Sequence, residues 1–196
     1  MFITGVPEAE ADGEVAEYYE AQRGIWGFLP NYAASFSHRP DVAAAWQTLN
    51  LAIRGGMDRR RYEIVTIAAA RARRSTACTA AHSKFLRDVC GDDATMRSIA
   101  DRPDGANLGE VDRALYEFAT AVATDAVAIQ GDDVERLRTL GLTDRDIGDV
   151  VFAVAARCFF TAVLDGTGTQ LDPETAAEFA PELLASMIVG RPVAGT

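Results

Sequence analysis

Apolar residues recur every three to four positions through most of the chain, and no stretch shows the strict alternation of a half-buried strand. The pattern predicts an all-α fold. Val111, Leu115, Phe118, Ala119 and Val122 mark one buried helix face. A first helix is expected over residues 8–23, opened by Pro7, and Asp41 is placed to cap a helix that runs through Trp46 and Arg54 and ends at Gly55-Gly56. Another starts at Asp58. Residues 91–109 hold Asp92, Asp93, Pro103, Asp104 and Gly105 and read as the longest irregular piece, with a short helix over 94–100, placed to shape or cover a site. Gly141-Leu142-Thr143 precedes a helix from Asp144, whose apolar core, residues 150–164, is too short to span a bilayer and carries Arg157. The last five residues read as frayed.

Two stretches match at an offset of 86 positions. Asp58-Arg59 pairs with Asp144-Arg145, Val65 with Val151, and Ala69-Ala70-Arg71 with Ala155-Ala156-Arg157, while Glu63 falls opposite Asp149. Both copies open a long apolar helix, so a helical bundle of two related units is expected. Positions 78 and 82 correspond to Leu164 and Gly168, which confines any chemistry of Cys78 and His82 to the first unit.

The 196 residues fit one domain with a single core. Nineteen basic against twenty-nine acidic residues give a net charge of −10, which argues against a nucleic acid partner. The opening residues lack a charged n-region and an apolar stretch, so no signal peptide and no membrane attachment is expected. Three widely spaced cysteines make neither a disulfide framework nor a zinc signature, and a reducing cytoplasm suits them. Arg54, Arg59, Arg60, Arg61, Arg71, Arg73 and Arg74 crowd one region, as an anion patch, a subunit contact or a solvated helix face.

Cys78 and His82 stand four residues apart, one helical turn on one face, which suits a nucleophile beside a proton carrier and equally a buried core pair. Ser75 is a strong N-cap residue. A helix beginning there puts Cys78 at its third position, where the helix dipole is expected to lower the thiol pKa. In one straight helix Glu63 would lie about 22 Å from Cys78, so a reversal near Arg73-Arg74 is required if the two are to meet, although no Gly or Pro marks one. Cys90 is about 18 Å from Cys78 on a continuous helix, and Cys158 reads as a core thiol. His38 is placed to bond backbone groups. Glu63, Cys78 and His82 lack the spacing of a metal site, and no flavin, nicotinamide or haem motif occurs, so no cofactor is expected.

Tyr62 to Ala72, with Glu63, followed by Ser75-x-x-Cys78-x-x-x-His82, resembles the signature of the alkylhydroperoxidase D and carboxymuconolactone decarboxylase superfamily. Leu29-Pro30-Asn31, Ser37-His38-Arg39-Pro40 and the stretch from Asp165-Gly166 to Leu171-Asp172 resemble its peroxidase-related branch, so the likeness covers about residues 25–175. It implies an all-helical alkylhydroperoxidase D-like fold, homo-oligomers such as trimers or hexamers, and Glu63, Cys78 and His82 as catalytic residues. In the signature the position of Ser75 is a cysteine that resolves the oxidised second one. The expected activity is a thiol-dependent, antioxidant peroxidase acting on a hydroperoxide through Cys78, with an external thiol reductant. The alternatives are a lyase or isomerase using Glu63 and His82 on a lactone or carbonyl compound, and an oligomeric protein that has lost the chemistry.

Overall fold

Residues 62–70 are buried without interruption and form the middle of a helix, Arg59–Ala72 (α4), in a computed structural model that describes residues 1–195. A helix closed to water on every side is stable only where neighbours surround it. Those neighbours are Thr76–Asp88 (α5), Glu110–Asp125 (α7) and Asp144–Thr167 (α9), with Pro40–Gly56 (α3) laid on α9. Gly13–Trp26 (α1) and Asn31–Phe36 (α2) precede these, and Asp93–Asp101 (α6), Gly131–Thr139 (α8), Pro173–Ala176 (α10) and Pro181–Met187 (α11) complete the bundle. Helices supply the regular structure of the described residues, apart from one isolated parallel bridge between Leu171 and Val193.

The two related units appear as α4 and α9, which pack on each other. Each begins behind a side-chain cap. Asp58 accepts from the Arg61 amide, and Thr143 and Asp146 form a reciprocal capping box. The copies part at the equivalent of residue 158: α4 stops at Ala72, whereas α9, 24 residues long in all, continues to Thr167. By length and composition α9 is apolar enough to cross a membrane, in contrast to the shorter run expected, but half of its most apolar window is buried inside the bundle.

Four expectations change. The first helix is split: a 3-10 turn covers Glu8–Glu10, and α1 starts at Gly13, whose φ of 47° breaks the run. Residues 91–109 are less irregular than expected, since α6 spans Asp93–Asp101 behind an Asp92 cap, and they do not line the cavity described below. The tail is tied down rather than frayed over its described part: Val193 is buried and the Ala194 amide donates to the Leu171 carbonyl. Thr196 lies outside the described residues. The arginines are internal staples as well as a surface: Arg60 joins α4 to Asp92 and Asp112, and Arg71 and Arg74 donate to the carbonyls of Ser186 and Val189.

Candidate active site

The reversal between α4 and α5 sets the site. Arg74 turns it with φ 57°, the one positive φ outside glycine among the described residues, and Ser75 enters α5 in an extended conformation. A left-handed arginine is disfavoured unless its surroundings enforce it. The tail does so. Gly190 lies against the turn, donating its amide to Thr76 Oγ1 at 3.0 Å, and a Cβ there would stand 1.9 Å from the Arg74 carbonyl oxygen.

Folding α5 back on α4 brings His82 to Glu63. The His82 Nδ1 and Glu63 Oε2 are 2.5 Å apart, and the other carboxylate oxygen accepts from Arg59 Nε at 2.5 Å. Glu63 is fully buried. Burial alone would raise its carboxyl, but the His82 ring and the Arg59 guanidinium more than reverse that, and its pKa is lowered. Burial first, then the charge of Arg157, pushes His82 down to about 4 against the pull of Glu63. At neutral pH the ring is therefore uncharged; with Glu63 ionised, Nδ1 carries the proton and Nε2 is left as the acceptor. Tyr62 and Phe85 hold the imidazole edge-on from two sides.

Cys78 is the third residue of α5, the position expected, and is 2% exposed. Two expectations about it fail. Ser75 occupies the N-cap position without a capping hydrogen bond from its side chain, and the Cys78 thiol pKa is raised, not lowered. Burial among Phe36, Ala43, Ala70, Phe160 and Leu164 outweighs the helix terminus, Arg157 and the nearby Ser75 hydroxyl, each of which favours the thiolate. Arg157 Nη1 approaches the sulfur at 3.7 Å.

These groups line one cavity of about 320 Å³ between α1, α3, α4, α5 and α9. Cys78, His82, Glu63 and Arg157 open on it, with a wall of Tyr18, Trp26, Tyr32, Phe36, Trp46 and Phe160. Tyr32 takes a hydrogen bond from Trp26 at 3.0 Å and donates to Gln22, and burial pushes its hydroxyl up to about 12. Asp172, at one side, is pushed up to about 6 by burial while accepting the Asn31 amide at 2.6 Å. Cys90, Cys158 and His38 do not line the cavity; His38 bonds the Thr4 carbonyl as expected. No described group of three or more His, Cys, Asp or Glu side chains is arranged to hold a metal. Arg157 is the residue that sequence reasoning left without a role, although a charge in the middle of the most apolar run was its signal.

Residues 40–101, which contain Glu63, Cys78 and His82, match the model of the carboxymuconolactone decarboxylase family. The fold is that of an uncharacterized peroxidase-related protein with an alkylhydroperoxidase D core from Ralstonia eutropha JMP134. The TM-score is 0.74 at 23% identity, over 95% of this chain and 96% of that one. The match to the family model is thus confined to residues 40–101, while the chain as a whole shares the all-helical alkylhydroperoxidase D-like fold. An uncharacterized peroxidase-related protein from Silicibacter sp. TM1040 superposes with a TM-score of 0.75 at 21% identity, over 88% of this chain and 93% of that one. The same fold is seen in a cysteine-to-alanine variant of the debrominase Bmp8 in complex with 2,3,4-tribromopyrrole, with a TM-score of 0.75 at 15% identity over 95% of this chain and 97% of that one. No curated protein sequence matches this chain.

Proposed function

We propose that this protein is a thiol-dependent peroxidase-like enzyme that reduces a small organic hydroperoxide through Cys78, with the whole chain acting as one domain. The observation that supports it is the meeting, on one cavity, of a thiol beside the Arg157 guanidinium and a neutral His82 backed by Glu63. His82 accepts the thiol proton, and Arg157 stabilises the resulting thiolate. The thiolate attacks the distal peroxide oxygen; the O–O bond breaks, Cys78 becomes a sulfenic acid, and the leaving alkoxide takes the proton from His82. Ser75 has no thiol with which to resolve it, and Cys90 and Cys158 lie off the cavity. An external dithiol therefore condenses with the sulfenic acid, releasing water, and its second thiol frees Cys78 as the dithiol becomes a disulfide.

Turnover of cumene hydroperoxide with dithiothreitol tests this reading. Cys78→Ala is expected to abolish it, while Cys90→Ala and Cys158→Ala retain it; turnover that survives in Cys78→Ala contradicts the reading. One observation favours a second, non-redox reading, in which Glu63 and His82 act as acid and base on a lactone: burial holds the Cys78 thiol protonated. Lactone turnover by Cys78→Ala, with peroxide turnover absent from the native protein, selects that alternative.

A further inference from the structure

Arg157 is 3% exposed and belongs to no ion pair among the described residues. Among the described residues its Nε has no hydrogen-bond partner; Nη1 approaches the Cys78 sulfur at 3.7 Å and the Tyr62 side chain is a second polar neighbour, neither of them a carboxylate. The guanidinium lies over the rings of Phe160 at 5.3 Å and Trp46 at 5.8 Å and faces the cavity. A guanidinium taken out of water without a counter-charge is costly to the fold, and the cost is relieved when an anion docks on it. The carboxylates of the cavity do not serve that purpose. Glu63 is taken by Arg59 and His82, and Asp172 accepts the Asn31 amide. Nor does the resting thiol, which burial keeps protonated. Arg54, also on the cavity and partly buried, likewise has no ion pair among the described residues, so the lining has cationic capacity to spare.

We propose that the cavity binds a small aromatic monocarboxylate, with the carboxylate on Arg157 beside Cys78 and the ring against the aromatic wall. The volume of about 320 Å³ exceeds what hydrogen peroxide needs and matches a ligand of one ring with a short side arm. Aromatic faces favour a planar partner over a flexible chain of equal size, and a fork of guanidinium donors favours a planar carboxylate. As a statement about binding this stands apart from the chemistry of Cys78; as a statement about substrate it rests on the peroxidase-like reading and names an aromatic hydroperoxide bearing a carboxylate.

Calorimetric titration at neutral pH with cinnamate, and with its neutral counterpart cinnamamide, tests the inference. The native protein is expected to bind cinnamate at least about tenfold more tightly than cinnamamide, one charge-assisted contact's worth of discrimination. Arg157→Gln is expected to erase the preference and Arg157→Lys to keep part of it. The titration reads binding by the native protein with neither peroxide nor reductant present, so a failure of peroxide turnover leaves this result intact. Equal binding of the two ligands by the native protein, no cinnamate binding at millimolar concentration, or an undiminished preference in Arg157→Gln overturns the proposal. If Arg157→Gln fails to fold, the native ratio and Arg157→Lys decide.

Discussion

Burial acts on both members of the Cys78–His82 pair in the same sense, favouring the uncharged form of each, so the proposed proton transfer between them runs uphill and depends on Arg157 and Glu63 to stabilise the charges it makes. A thiol raised by burial and a ring lowered to about 4 both start neutral at pH 7, so the ring is free to accept. In the proposed mechanism Arg157, 3.7 Å from the sulfur, supplies the positive charge that stabilises the thiolate. The sign for pH follows directly. Because the folded thiol pKa lies above the ordinary value of about 8.5, the thiolate fraction, and with it the rate of alkylation by iodoacetamide, rises with pH through and beyond that value. Following Cys78 alkylation by mass spectrometry from pH 6 upward checks this; a rate already level at pH 7 contradicts it. Arg157→Met is expected to push the midpoint higher still, since it removes the largest influence that lowers the thiol pKa. Glu63, Cys78 and His82 were legible as candidates because their types and spacing are local facts, and the fold brings all three to one cavity. The thiol pKa was misjudged because the helix position is local too, whereas the Phe36, Ala43 and Phe160 packing that overrides it comes from three other helices.

At the scale of elements, the site depends on a turn that holds an arginine in a left-handed conformation and on a tail that keeps it there. The need for a reversal near Arg73-Arg74 was readable from helix length alone, but its means was not, since Gly190 is more than a hundred residues away and a lone glycine in a terminal segment looks like loosening. Close backbone approach is the physical reason for that glycine. Gly190→Ala is therefore expected to force the tail off the Arg74 carbonyl and destabilise the protein by about 1–3 kcal/mol. Urea unfolding measures it. A midpoint unchanged from the native protein contradicts the role given to the tail. The same blindness to distant contacts explains α4: nine consecutive buried positions hide the helical period, and only the neighbours on all sides explain why Thr66 is as deeply buried as Ile67, its hydroxyl returned to the Tyr62 carbonyl.

For the whole molecule, the two related helices explain how one chain makes both a buried core and the cavity proposed as its active site. The first unit breaks after Ala72 and folds α5 back, delivering Cys78 and His82; the second continues unbroken and lends Arg157 from the position matched to Arg71. Arg71 reaches outward to the Ser186 carbonyl, while its counterpart turns to the sulfur. The all-α architecture was legible throughout from periodicity, and the offset of 86 pointed to the two units, yet neither reveals that α1 and α3 close the aromatic side of the cavity. The central claim is that this assembly makes Cys78 a reactive sulfur rather than a buried filler. Stopped-flow mixing of the reduced protein with cumene hydroperoxide at neutral pH tests it most directly: the account predicts oxidation of Cys78 at least about 10²-fold faster than free cysteine, with the gain lost in His82→Asn. A rate no greater than that of free cysteine contradicts it.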